Sequence, residues 1–378
     1  MGSVVVGRSF SDRIRGCGGI GRRARFRFWW ETVQVQVLSP ALKTFDTQVL
    51  RVFLYDKKNM IRGVVIVEIL LQMLLLVVGF VMLVKGADWF VEAASKLADK
   101  FGIPQLVIGL TIVAMGTSLP EAAVSISAAL KGSAEITIGN VVGSNILNVL
   151  LILGLTAAVH AVSVQKSTIR YEIPFTILIT VLLAVIGLND NMVSRFEGGI
   201  LWGLFILYLL YLLRMAKSGE LPEKTPKDRK DEPVWKLLLF IVIGGVLIVW
   251  GSDVSVGAAT ELAKIFGMSE RFIGLTIVAL GTSLPELVTS VTAAMKGKAD
   301  IAVGNIVGSN IFNILFVVGT TALITPVVYH ADFLFDSVVA AVTMVLLWLC
   351  VFRKQRLARP AGGLLLLGYA VYFVFLIR

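Results

Sequence analysis

The chain has 378 residues, 57% of them hydrophobic and only 16% charged, with a formal net charge of +10. Soluble globular chains run nearer ~45–50% apolar and ~25% charged, so this composition excludes a soluble single-domain enzyme, a disordered chain and a fibrous repeat. A mean hydropathy of +0.85 and apolar runs such as 237–250 and 337–352 point instead to an all-α polytopic membrane protein, because a spanning helix needs ~20 mostly apolar residues.

The charge is unevenly placed. Residues 1–59 carry eleven Lys/Arg against four Asp/Glu, whereas 60–378 carry 24 against 21. The basic excess belongs to the N-terminal stretch and does not mark a nucleic-acid surface. That stretch has no apolar run long enough to span a bilayer and lacks the order of a signal peptide. Its Arg-rich, aromatic part, Gly16 to Pro40, shows no clean period. We expect 1–59 to be an extension produced by a start placed too early, with Met60 as the true start. A basic membrane-surface arm and a genuine flexible tail are the alternatives. Cys17 and Cys350 are too few for a disulfide framework or a zinc site. His160 and His330 fall near the ends of apolar runs and offer little to a histidine metal site or a Ser-His dyad.

From Met60 on, ten apolar segments follow at 64–84, 103–130, 139–164, 172–189, 197–213, 235–259, 269–296, 301–326, 333–352 and 360–377. Each predicts a membrane helix. The polar interval Ala216 to Pro233 holds five Lys/Arg, five Asp/Glu and three Pro, and reads as a short disordered linker.

The chain repeats itself at an offset of 165 residues. Gly109-Leu-Thr-Ile-Val-Ala-Met-Gly-Thr-Ser-Leu-Pro-Glu121 matches the stretch Gly274 to Glu286 at twelve of thirteen positions. Gly139-Asn-Val-Val-Gly-Ser-Asn-Ile-Leu-Asn148 matches Gly304 to Asn313 at eight of ten, and Asp88 and Asp253 keep the same offset. Two five-span units, 60–216 and 235–378, are therefore joined by the linker 217–234. Five is odd, so the second unit must enter the membrane with the opposite orientation, giving inverted repeats. Counted from Met60, with that end outside, the inside loops hold eighteen Lys/Arg and the outside loops and termini six. The positive-inside rule then places the linker in the cytoplasm and both ends outside.

Glu121 and Glu286 lie inside otherwise apolar segments. A charge at mid-bilayer costs on the order of 2.5–3.5 kcal/mol by insertion scales, so each is a functional candidate with a cation or proton as partner. The bland alternative, a buried salt bridge, finds no Lys or Arg in either motif. Pro120 and Pro285 cannot donate to the carbonyls of Gly116 and Gly281, so each helix should break at Gly-Thr-Ser-Leu-Pro and leave free carbonyls at membrane depth. Thr117 and Ser118 stand four and three residues before Glu121, so their oxygens can share its face. Ser144 and Asn148, like Ser309 and Asn313, are spaced i,i+4 and read as neutral ligands, with the amides of Asn140, Asn145, Asn305 and Asn310 nearby. Gly139, Gly143, Gly304 and Gly308 read better as close helix packing. A set of carboxylate, hydroxyl, amide and carbonyl oxygens suits hard cations, Ca2+ or Na+, rather than zinc or copper. One Ca2+ neutralises two glutamates, and so do two Na+, which is the physical basis of exchange.

The doubled motif closely resembles the cation/calcium exchanger superfamily, in particular its prokaryotic sodium/calcium exchanger branch, over essentially all of Met60 to Arg378. The resemblance implies ten helices with the site formed by the second, third, seventh and eighth. It implies Ca2+ on Glu121 and Glu286 with the carbonyls of Thr117 and Thr282. It places Ala114, Ser118, Ser309, Ala279, Ser283 and Ser144 at flanking Na+ sites, and Asn148 and Asn313 at a central polar pair. Some relatives have Asp at one of those two positions; Asn at both argues against potassium co-transport, and the linker is too short for a cytosolic calcium-sensing domain. The expected function is a Na+/Ca2+ antiporter of a bacterial inner membrane, with no cofactor beyond the transported cations and no partner beyond the lipid bilayer. A H+/Ca2+ or K+-dependent exchanger of the same fold is the nearest alternative. A passive cation channel and an intramembrane hydrolase using Ser118 or Ser283 are remoter ones.

Overall fold

The computed structural model describes residues 47–134, 136–217, 232–268 and 279–377, with only the backbone of 47–64, 279 and 377. The expected extension 1–59 and linker 217–234 fall mostly outside the described residues. The chain forms two units, Met1–Glu68 and Ile69–Arg378, and the second holds both copies of the polar motifs.

The described helices are, in chain order, α1 (Thr47–Phe101), α2 (Gln105–Thr117), α3 (Leu119–Leu130), α4 (Ile136–Val159), α5 (Thr168–Asp190) and α6 (Arg195–Lys217) before the linker. After the linker come α7 (Val234–Ile265), α8 (Ala279–Thr282), α9 (Leu284–Met295), α10 (Ala299–Ile324), α11 (Asp332–Phe352) and α12 (Arg359–Ile377). Among the described residues eight helices are long and apolar enough to cross a membrane, and α2 with α3 makes a ninth that is bent by 48°. The expected tenth span, 269–296, begins outside the described residues.

Apolar side chains such as Phe196, Leu207 and Val242 stay 78%, 62% and 61% exposed. In water such a surface would aggregate; it is the surface of an integral membrane protein, covered by hydrocarbon. The interior is made by α4 and α10, whose apolar windows are 78% and 94% buried. These are the helices that carry the Gly-Asn-x-Val-Gly-Ser-Asn motifs.

The two copies fold alike locally. Both interior helices turn π-helical at the same residue of the motif, over Asn148–Leu153 and Asn313–Val318. They also contact each other reciprocally. Gly79 lies against Gly251, and Gly86 against Gly244, where Gly244 and Gly251 are the repeat equivalents of Gly79 and Gly86. The numbers run in opposite directions, so α1 and α7 are antiparallel. Four two-residue strands repeat the pattern: β1 (Val162–Ser163) pairs antiparallel with β4 (Arg356–Leu357), and β2 (Met192–Val193) with β3 (Val327–Val328).

Without a hydrophobic force between helices in lipid, close backbone contact at small residues is what holds such a crossing. A Cβ on Gly251 would sit 2.8 Å from the Gly79 carbonyl oxygen and 2.9 Å from the Leu83 nitrogen, both backbone atoms that cannot swing aside. Gly251→Val is therefore expected to lower the melting temperature of the detergent-purified protein markedly. Gly257→Ala, where nothing lies within 4 Å of the added carbon, should leave it within a degree or two of wild type. Equal effects from the two would remove the crossing as a determinant of stability.

Candidate cation site

The proline in each motif does what its chemistry requires. Ser118 leaves the helical region at ψ 10°, and Ser283 does the same at ψ 5°. The chain restarts as α3 and α9 with Pro in the first turn, where a missing N–H costs nothing. Glu121 and Glu286 thus stand in the first turns of new helices. Acidic side chains there face the positive end of the helix dipole. Both are buried, at 1% and 0% exposure.

The hydroxyls do not serve the glutamate of their own motif, as the i,i+3 spacing led us to expect. They cross over. Ser118 Oγ donates to Glu286 Oε1 at 2.8 Å, and Ser283 Oγ donates to Glu121 Oε1 at 3.4 Å. The break turns each serine away from its own helix and toward the other copy. The crossing brings Glu121, Glu286, Ser118 and Ser283 into one cluster. Each carboxylate keeps its second oxygen, Oε2, buried and without a hydrogen-bond partner.

The asparagines brace this cluster in the same reciprocal way. Asn140 Nδ2 donates to the Glu121 carbonyl at 3.1 Å and to Ser125 Oγ at 2.9 Å. Asn305 Nδ2 donates to the Glu286 carbonyl at 3.4 Å and to Ser290 Oγ at 2.9 Å. Thr117 Oγ1 reaches Asn305 Oδ1 at 3.0 Å. At the centre Asn145 and Asn310 each donate to the other's carbonyl at 3.3 Å. Asn148 Nδ2 donates to Asn310 Oδ1 at 2.9 Å and Asn313 Nδ2 to Asn145 Oδ1 at 3.2 Å. Asn148 and Asn313 each direct an amide N–H at the other copy, and their Oδ1 atoms remain buried and unpartnered.

Of the other expected residues, Ala114 and Ser309 are brought together, with Ser309 Oγ donating to the Ala114 carbonyl at 3.4 Å. Thr282 is half-buried beside the break, and Ser144 is buried at 5% exposure. The side chain of Ala279 is outside the described residues. Gly304 and Gly308 serve packing: a Cβ there would meet Gly109 Cα at 3.0 Å and Leu110 Cα at 2.8 Å.

Four buried oxygens from two carboxylates and two amides are therefore unpartnered. Leaving even one such group dry and unpaired costs about 1–3 kcal/mol, more for a charged one. Among the described residues no third acidic, His or Cys side chain joins the pair, and neither carboxylate has an ion-pair partner there. The set fits a hard cation that accepts carboxylate and amide oxygen. Ser125 and Ser290, which hold the bracing asparagines, escaped the sequence reading. They lie four residues beyond each glutamate and repeat at the same offset, a signal that the motif boundary at Glu121 and Glu286 cut off.

Comparison with known proteins gives the family of the chain. The sodium/calcium exchanger protein family matches residues 71–214 and 236–378. The chain is 39% identical over 319 residues to the inner membrane protein YrbG of Escherichia coli K12, covering 81% of this chain and 97% of that one. It is 33% identical over 347 residues to the sodium/calcium exchanger MaX1 of Methanosarcina acetivorans, covering 82% and 99%. Among solved structures, the sodium-calcium exchanger NCX_Mj soaked with 2.5 mM Na+ and 10 mM Sr2+ superposes with a TM-score of 0.71 at 31% identity, over 81% of this chain and 99% of that one.

Proposed function

The chain belongs to the sodium/calcium exchanger protein family, and on that premise we propose that it is a secondary antiporter exchanging Na+ for Ca2+ by alternating access. Glu121 and Glu286, with the carbonyls of Thr117 and Thr282, hold Ca2+. Ser118, Ser283, Ser144, Ser309, Ala114 and Ala279 serve Na+ on either side, and Asn148 and Asn313 close the centre. The observation that carries this reading is the crossing of Ser118 to Glu286 and Ser283 to Glu121, which leaves one unpartnered carboxylate oxygen on each copy. Two carboxylates make a site that one Ca2+ or two Na+ neutralise but that does not accept both loads together.

Ten helices in two inverted repeats supply the alternation. The units run 60–216 and 235–378, with 217–234 in the cytoplasm and both termini outside the inner membrane. The antiparallel crossing of α1 on α7 and the swapped strand pairs support the inversion. Inversion places equivalent residues at opposite ends of the bundle. Lys296 Nζ pairs with Asp88 at 2.7 Å and with Glu92 at 3.1 Å. The equivalents, Lys131 and Asp253, are exposed and carry no ion pair among the described residues. Among the described residues one end is latched and the other is not, as one half of an alternating cycle requires. Half-exposed pairs of this kind contribute up to about 1 kcal/mol, enough to bias two states several-fold without locking either.

Two experiments test this. Ca2+ uptake into proteoliposomes preloaded with Na+ and diluted into Na+-free buffer should depend on internal Na+, and Glu121→Gln or Glu286→Gln should abolish it. Uptake driven only by K+ or by a pH gradient would change the coupling ion, and uptake without any counter-ion would make the protein a channel. For the latch, Lys296→Ala and Asp88→Ala should each change turnover a few-fold, and the double variant should fall well short of the product of the two. Independent, multiplicative effects would show that the pair does not act as a unit.

A further inference from the structure

A third buried carboxylate lies outside the cation site. Glu172 closes the π-helical first turn of α5, Thr168–Glu172, and is 1% exposed. The sequence places it at the edge of an apolar segment, where it reads as a boundary; instead α5 begins at Thr168 and Glu172 is inside the protein. Tyr211 of α6 donates its hydroxyl to Glu172 Oε1. Glu172 Oε2 and the Tyr208 hydroxyl are buried without a partner. A cavity of about 370 Å³ opens beside them, lined by Glu172, Tyr208, Tyr211, Phe175, Tyr171 and Arg170, among others. Its mouth is on the outer surface, where Tyr171 is 53% and Leu207 62% exposed.

This group is not part of the transport repeat. At an offset of 165, Thr168, Arg170, Glu172, Tyr208 and Tyr211 become Phe333, Phe335, Ser337, Phe373 and Leu376. What comes nearest in the second copy is a half-buried pair, Asp336 accepting from the Tyr372 hydroxyl at 2.9 Å. A buried acid that one copy alone carries is no requirement of the fold.

The chemistry of the walls selects the ligand. One carboxylate and the hydroxyls of Tyr208 and Tyr211 are too few for a bare Ca2+ or Mg2+. They do match the three N–H donors of a primary ammonium, and aromatic faces around a cation add cation–π attraction. Arg170, whose guanidinium carbon lies 5.7 Å from the Tyr171 ring centre, stands at the mouth two residues from Glu172 and suits a phosphate. Leu204 and Leu207 continue the wall as apolar surface. We propose that this cavity binds the head group of an aminophospholipid, with the ammonium on Glu172, the phosphate at Arg170 and the acyl chains along α6.

Native mass spectrometry of the detergent-purified full chain tests this with phosphatidylethanolamine, phosphatidylcholine and water-soluble phosphoethanolamine as probes. Choline has no N–H, so wild type should retain phosphatidylethanolamine about tenfold more than phosphatidylcholine, the worth of roughly one charge-assisted hydrogen bond. Glu172→Gln and the shape-preserving Tyr208→Phe should each erase most of that preference. Equal retention of the two lipids by wild type would overturn the proposal, as would a preference that survives both substitutions. Retention of free phosphoethanolamine as strong as that of the lipid would overturn the lipid as occupant and leave a soluble amine.

Discussion

Two carboxylates, Glu121 and Glu286, are buried in an apolar bundle with no basic side chain beside them among the described residues. Most of the architecture follows from making that tolerable. A lone charge at membrane depth is costly, and a half-satisfied polar cluster is worse than an apolar core. The chain answers with backbone breaks at Ser118 and Ser283, crossed hydroxyls, and asparagines that spend their donors on the carbonyls and hydroxyls around the acids. The Oε2 atoms of the two acids and the Oδ1 atoms of Asn148 and Asn313 remain as unpartnered acceptors, which a cation or a proton can meet.

The reciprocity of contacts explains why the motif is doubled. Each serine serves the other copy's glutamate, and each central asparagine serves the other copy's backbone. Neither copy completes the cluster by itself. An arrangement of two like halves also has two nearly equivalent ways to close, which is the elementary requirement for alternating access. The ion pair at Lys296, against a counterpart at Lys131 that has none among the described residues, expresses that near-equivalence as a bias.

How much of this was legible depended on the range of the interactions. Glu121 and Glu286 stood out because charge inside an apolar run is rare, and Pro120 and Pro285 announced the breaks because proline acts on its own backbone. The repeat was visible as identity. The crossing of Ser118 to Glu286 was not legible, since spacing along one helix favours the glutamate in the same motif and only the meeting of the two copies decides otherwise. Ser125 and Ser290 were missed because they lie just past a motif edge. Glu172 was not singled out because an acid at the end of an apolar run has the pattern of a membrane boundary, and its burial comes with the helices packed in the folded chain. The two-residue strands are too short to leave any period.

The central claim is that Glu121 and Glu286 form one oxygen site that takes Ca2+ or Na+ in turn. Equilibrium binding of radiolabelled Ca2+ to the purified protein, measured across a range of Na+ concentrations, tests it most directly. Competition is expected: Na+ should weaken Ca2+ binding more than in simple proportion to its concentration, since two ions replace one, and Glu286→Gln should remove the Ca2+ site. Ca2+ binding that is indifferent to Na+, or that persists in Glu286→Gln, would contradict the account.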